Sequence, residues 1–81
     1  MRIEWTRQAE RDARKLPEKR LTQVTEALDR YAESGEGDVK KLVNVNPPEY
    51  RLRVGSYRVR FRLDAGPVLL VLRVLPRGGA Y

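Results

Sequence analysis

Eighty-one residues with no cysteine and no histidine make one domain, 1–81, and exclude disulfides, thiolate metal centres and a histidine-based zinc site. The longest apolar run, Val68 to Leu72, is too short to span a bilayer, and Met1-Arg2-Ile3-Glu4-Trp5 lacks the apolar stretch of a signal peptide, so a cytoplasmic protein with no membrane partner is expected. The net charge of +6 lies wholly in residues 50–81, which carry seven arginines, no lysine and one acid, Asp64, and this one-sided excess implies a polyanionic partner.

Arg2-Ile3-Glu4-Trp5 alternates polar and apolar residues, as a short strand does. Thr6 is placed to cap a helix whose apolar positions Ala9, Ala13 and Leu16 recur at helical spacing. Pro17 ends that helix and suits the first turn of a second. The second helix carries Leu21, Val24, Leu28 and Tyr31 on one stripe and stops at Ser34-Gly35-Glu36-Gly37. The short join makes the two a helical hairpin. Lys40-Lys41-Leu42-Val43 is compatible with a short strand or a turn, and Asn46-Pro47-Pro48 blocks regular structure.

From Tyr50 the alternation is strict. Tyr50, Leu52 and Val54 alternate with Arg51 and Arg53; Tyr57, Val59, Phe61 and Leu63 alternate with Arg58, Arg60 and Arg62. Between them Gly55-Ser56 is a two-residue hairpin turn. Asp64-Ala65-Gly66-Pro67 is a second turn, followed by the apolar strand Val68–Leu75. The fold class is therefore α+β: an N-terminal strand, a helical hairpin and a three-stranded antiparallel meander, forming one sheet with the helices packed on one face.

The first turn pairs Val54 with Tyr57, Leu52 with Val59 and Tyr50 with Phe61, which makes these six the core side. Arg53 then pairs with Arg58, and Arg51 with Arg60, on the other side. A four-residue second loop brings Arg73 opposite Arg58, giving a row Arg53, Arg58, Arg73 at about 5 Å intervals. Like charges directly opposite one another destabilise a sheet, so such a row points to a phosphate-binding surface; a solvated face of splayed side chains is the simpler alternative. By parity Glu49 falls on the arginine side facing Arg62, as an ion pair or a base, and Leu69 and Val71 point to the same side. Trp5, Tyr31, Tyr50 and Tyr57 read as core.

Together these strings resemble the RelE/ParE toxin superfamily, the toxin half of toxin–antitoxin pairs. The resemblance runs through Trp5-Thr6-x-x-Ala9-x-x-Asp12-Ala13-x-Lys15-Leu16-Pro17, through Lys41-Leu42, through the hairpin Tyr50-Arg51-Leu52-Arg53-Val54-Gly55-Ser56-Tyr57-Arg58-Val59, and through Val71-Leu72-Arg73-Val74 to Arg77 and Tyr81. It implies a cognate antitoxin protein as partner and one of two targets. Members of the RelE branch cut mRNA on the ribosome with the RNA's own 2′-hydroxyl as nucleophile; members of the ParE branch poison DNA gyrase. For the first branch it implies that Arg58 clamps the scissile phosphate, Arg77 stabilises developing charge, and Tyr81 stacks on a base or assists proton transfer. Arg51 and Arg53 hold or activate the RNA, and Arg60 and Arg73 extend the RNA-binding face. No metal and no small-molecule cofactor is implied. Pro76 stands where many relatives carry a histidine, and Gly78-Gly79-Ala80 where they often carry charged or bulky residues. The side chain that titrates nearest neutral pH is thereby missing, and a gyrase-directed toxin or a degenerate family member remains an alternative to the ribonuclease.

Overall fold

The computed structural model describes residues 1–76. The chain runs β1 (Arg2–Trp5), α1 (Arg7–Arg14), α2 (Glu18–Ser34), β2 (Asp38–Lys41), β3 (Tyr50–Val54), β4 (Tyr57–Asp64) and β5 (Val68–Pro76). Five strands form one sheet in the order β1-β5-β4-β3-β2, with β1 parallel to β5 and every other neighbour antiparallel. The expected meander is thus extended by β2 at one edge and closed by β1 at the other.

Local chemistry sets the helix ends. Thr6 stays extended and its Oγ1 accepts the Ala9 N–H at 3.1 Å, satisfying one of the orphan donors of α1. Pro17 stands at the N-cap of α2, where its missing N–H costs nothing. Gly35 ends α2 with φ +77° and donates its N–H to the Tyr31 carbonyl at 2.8 Å. That left-handed conformation is open to glycine without the steric cost a Cβ would add.

Both helices lie on one face of the sheet, α1 against β5 and α2 across β1 and β3. The core between the layers is Ala9, Val24 and Leu28 from the helices and Leu52, Val59, Phe61, Leu69, Val71 and Val74 from the strands. Phe61 is fully buried, with the Tyr31 and Tyr50 rings 5.4 and 5.5 Å from its own. Burying such a side chain stabilises the fold by roughly 2–3 kcal/mol. Trp5, Tyr31, Tyr50 and Tyr57 pack against this cluster, as their pattern predicts. Among the described residues no helix is long and apolar enough to cross a membrane.

The first hairpin has the expected register: Val54 faces Tyr57, Arg53 faces Arg58 and Arg51 faces Arg60 across Gly55 (φ +58°). The second does not. Its loop has three residues, with Asp64 opposite Val68 and Gly66 at φ +123°. A bulge then shifts the register between Arg60 and Phe61, so Phe61 faces Val71 while Arg60 faces Arg73, and Leu72 is the extra residue. Leu69 and Val71 therefore point into the core, not to the arginine face. The physical reason is burial: Val71 and Val74 are an odd number apart, and one inserted residue lets both reach the core. The row that crosses three strands is Arg51, Arg60, Arg73, and Leu75 takes the place opposite Arg58 that was expected of Arg73.

Candidate nucleic-acid interface

The face of the sheet away from the helices carries the arginines. Like charges across a strand pair repel, and the structure shows how this face tolerates them. Acids from neighbouring segments are threaded among the guanidiniums. Arg60 donates to Glu49, its Nε at 3.1 Å, and Glu49 is only 17% exposed. Arg62, the partner expected for Glu49, instead binds Asp64 on its own strand at 2.7 and 3.0 Å. Glu49 lies on the side that parity assigned it but reaches the guanidinium one pair further along. The hydrogen bonds from Arg62 hold the Asp64 carboxyl below its usual range. Arg51 and Arg53 both approach Asp38, at 3.6 and 4.0 Å, from the edge strand β2.

Arg73 is held differently. Its Nε and an Nη reach the two oxygens of Asp12 on α1 at 2.8 and 3.3 Å, and Asp12 also accepts the Val74 N–H at 2.9 Å. Beyond Trp5 the strand β1 has ended, and the start of α1 takes over the hydrogen bonding along β5. The Thr6 N–H and hydroxyl donate to the Val71 and Leu72 carbonyls, and Asp12 serves Val74. Asp12 is the buried charged residue of the described core, 5% exposed. Burial alone would raise its pKa, but donation from Arg73, the Val74 N–H and Gln8 outweighs this and holds its carboxyl below the ordinary value. Asp12 stood in the string that resembles the toxin superfamily, but nothing in the sequence marked it as the partner of Arg73.

The arginines converge at one place. A half-open hollow of about 260 Å³ is lined by Arg51, Arg58 and Arg60 on the sheet and by Leu42, Val43 and Val45 from the loop between β2 and β3. Arg51 is the most enclosed of the paired arginines, its side chain 14% exposed, and its buried Nε has no hydrogen-bond partner. A phosphate in the hollow would meet three arginines, a residue type suited to two-pronged donation to phosphate, with Arg60 already engaged by Glu49. Arg53 lies across from Arg58 and is more exposed, and Arg73 extends the row on the far side of Arg60. Arg77 and Tyr81 lie outside the described residues. Among the described residues, no three of the side chains that bind metals are grouped to hold an ion.

An open five-stranded sheet with a helical pair on one face and an arginine-lined hollow on the other defines a small basic α+β protein. Residues 3–81 match the family model of the ParE toxin of type II toxin–antitoxin systems, and the chain belongs to that family, within the RelE/ParE superfamily. Among solved structures it is similar to the RelE chain of the archaeal RelE–RelB complex from Pyrococcus horikoshii, at 27% identity and TM-score 0.78, over 98% of this chain and 97% of that one. The toxin–antitoxin complex RelBE of Mycobacterium tuberculosis matches at 29% identity and TM-score 0.78, over 94% and 96% of the two chains. The isolated RelE toxin of E. coli shares the fold at 19% identity and TM-score 0.75, over 94% and 83%. No curated protein matches the chain in sequence.

Proposed function

We propose that this toxin is a ribosome-dependent endoribonuclease that cuts mRNA by attack of the 2′-hydroxyl on the adjacent phosphodiester. The observation that carries the reading is the convergence of Arg51, Arg58 and Arg60 on a single hollow. In the reaction the 2′-oxygen bonds to phosphorus and the bond to the 5′-oxygen breaks. The products are a 2′,3′-cyclic phosphate and a 5′-hydroxyl; the 2′-proton leaves to a base and a proton reaches the departing oxygen. Negative charge builds on the phosphoryl oxygens in between, and preorganised cations stabilise that state more than the ground state. Arg58 clamps the phosphate from the middle of the face, with Arg51 and Arg60 beside it and Arg53 and Arg73 along the strand path of the RNA. Arg77 stabilises the same charge, and Tyr81 stacks on a base or assists proton transfer. With no histidine in the chain, a tyrosine, whose ordinary pKa is about 10, needs such guanidiniums nearby to act as a base.

An antitoxin protein is the second partner, because the similar RelE chains of Pyrococcus horikoshii and Mycobacterium tuberculosis were solved in complexes with theirs. A binder of the folded state also stabilises a domain with so small a core.

The decisive experiment is induction in a bacterial host with mapping of new RNA 5′ ends, alongside Arg58→Ala. Cuts in register with codons, absent from the variant, are expected. Intact messages with broken DNA would place the chain with gyrase-directed toxins, and intact nucleic acids with normal growth would mark an inactive member.

Glu49 gives a second expectation. It competes with phosphate for Arg60, so Glu49→Gln is expected to tighten binding of single-stranded RNA. The variant should also steepen the slope of log K against log salt by about 0.7, one further phosphate contact. Titrations at three salt concentrations measure both.

A further inference from the structure

The hollow has two unlike walls, and the proposed nuclease chemistry uses one of them. Opposite the three arginines stand Leu42, Val43 and Val45. Val43 is 78% exposed, the most exposed large apolar side chain among the described residues. A lone exposed apolar side chain is ordinary on a protein surface; Val43 is set apart by lining, with Leu42 and Val45, the same hollow as three arginines. The loop that carries it is fastened at its base. The Leu42 N–H donates to the Glu49 carbonyl at 2.9 Å, closing the neck, and the Glu49 carboxylate is tied to Arg60. Asn44, at φ +59°, makes the turn that puts Val43 and Val45 on either side of the tip. The apolar lip is thus held in a set position relative to the phosphate-binding guanidiniums.

From this geometry we infer that the loop from Leu42 to Glu49 is a nucleobase seat: a base rests against Leu42, Val43 and Val45 while the phosphate of the same nucleotide lies on Arg51, Arg58 and Arg60. A nucleotide carries a flat, largely apolar face and a phosphate at a short separation across one ribose, and the one hollow is lined by apolar and by cationic side chains. An acidic peptide would need two separate side chains to satisfy both walls. Unpaired bases are the part of RNA that proteins read by apolar and stacking contact. The loop therefore selects single-stranded over paired substrate, because a base held in a duplex cannot turn onto the lip. The inference rests on the nucleic-acid reading of the arginine face but not on cleavage.

The test is equilibrium binding, by fluorescence anisotropy, of a single-stranded hexanucleotide with 2′-deoxy sugars, which offers no nucleophile and stays intact. Its partner probe has the same backbone with abasic sites throughout. The full-length protein is expected to bind the intact strand about fivefold more tightly than the abasic one, the scale of one partly buried apolar contact. Val43→Ser, at an exposed position that leaves the core untouched, is expected to remove that preference while leaving abasic binding as it was. Arg58→Ala should weaken both strands alike and flatten the salt dependence. Equal affinity for the two strands in the unaltered protein would overturn the inference, and so would a preference that survives Val43→Ser. Survival of the preference together with lost binding of an acidic peptide in Val43→Ser would assign the lip to a protein partner instead. Because no cleavage is read, codon-register cuts without base preference sink the lip alone, and base preference without cuts sinks the nuclease reading alone.

Discussion

Arg58→Ala is expected to slow message cleavage on programmed ribosomes by at least about a hundredfold, the loss typical of removing one preorganised donor to a developing anion, while leaving the thermal midpoint nearly unchanged. Arg58 sits on β4 between Arg53 on one side and Leu75 on the other, and lines the hollow together with Arg51 and Arg60. It faces Arg53, a like charge, across the strand pair, so its removal relieves repulsion at that pair. Arg58→Lys is expected to recover only part of the rate, because an ammonium keeps the charge but not the two-pronged geometry that spans two phosphoryl oxygens. Arg60→Ala is expected to cost less than Arg58→Ala, since Arg60 already shares its guanidinium with Glu49. Initial rates with the three variants order these effects. A rate for Arg58→Ala equal to that of the parent protein would remove Arg58 from the site.

Asp12→Ala is expected to destabilise the fold by about 3 kcal/mol, within the range for breaking a buried charged hydrogen-bond network. Three donors lose their acceptor at once: the Arg73 guanidinium, the Val74 N–H and the Gln8 amide. Arg73 is itself partly exposed and can turn to water, which keeps the cost below the upper end of that range. The backbone N–H of Val74 has no such escape, because α1 covers it. For a domain of this size the loss corresponds to a fall of about 15 °C in the thermal midpoint. The pH dependence has a definite sign. The folded-state pKa of Asp12 is depressed, so its contribution is present above the unfolded-state value of about 3.9 and lost as pH falls through the folded one. Melting curves between pH 7 and pH 3 should show the parent losing stability in acid and Asp12→Ala losing less. Identical acid limbs would show that the carboxylate does not hold α1 to the sheet.

Much of this architecture is legible in the chain because charge and hydropathy alternate cleanly where they matter most. Tyr50 to Leu63 obeys a period of two around Gly55-Ser56, and the register between β3 and β4 follows residue for residue. Val68 to Leu75 is apolar on both faces except at Arg73, so no alternation survives to report a bulge. The shorter loop sent Leu69 and Val71 inward, and the bulge beyond them then set Arg73 opposite Arg60 instead of Arg58. β2 has one inward apolar residue, Val39, and otherwise charged ones, which leaves a strand and a turn equally readable. Asp12 and Arg73 are 61 residues apart, and a pairing so distant is invisible to any local rule. The hollow escaped notice for a related reason: its apolar wall belongs to a loop whose composition signals only that regular structure stops.

The parallel pairing of β1 with β5 sets the order in which this protein becomes itself as it is synthesised. Arg2 to Trp5 find their partners only in Val68 to Val71, and Leu69, Val71 and Val74 fill the middle of the core. A growing chain that lacks them has helices and a hairpin but no closed sheet, and pairings of such sequence separation form slowly. The start of the chain and the last described strand are thus held side by side, and neither the sheet nor its core is complete until β5 has been made.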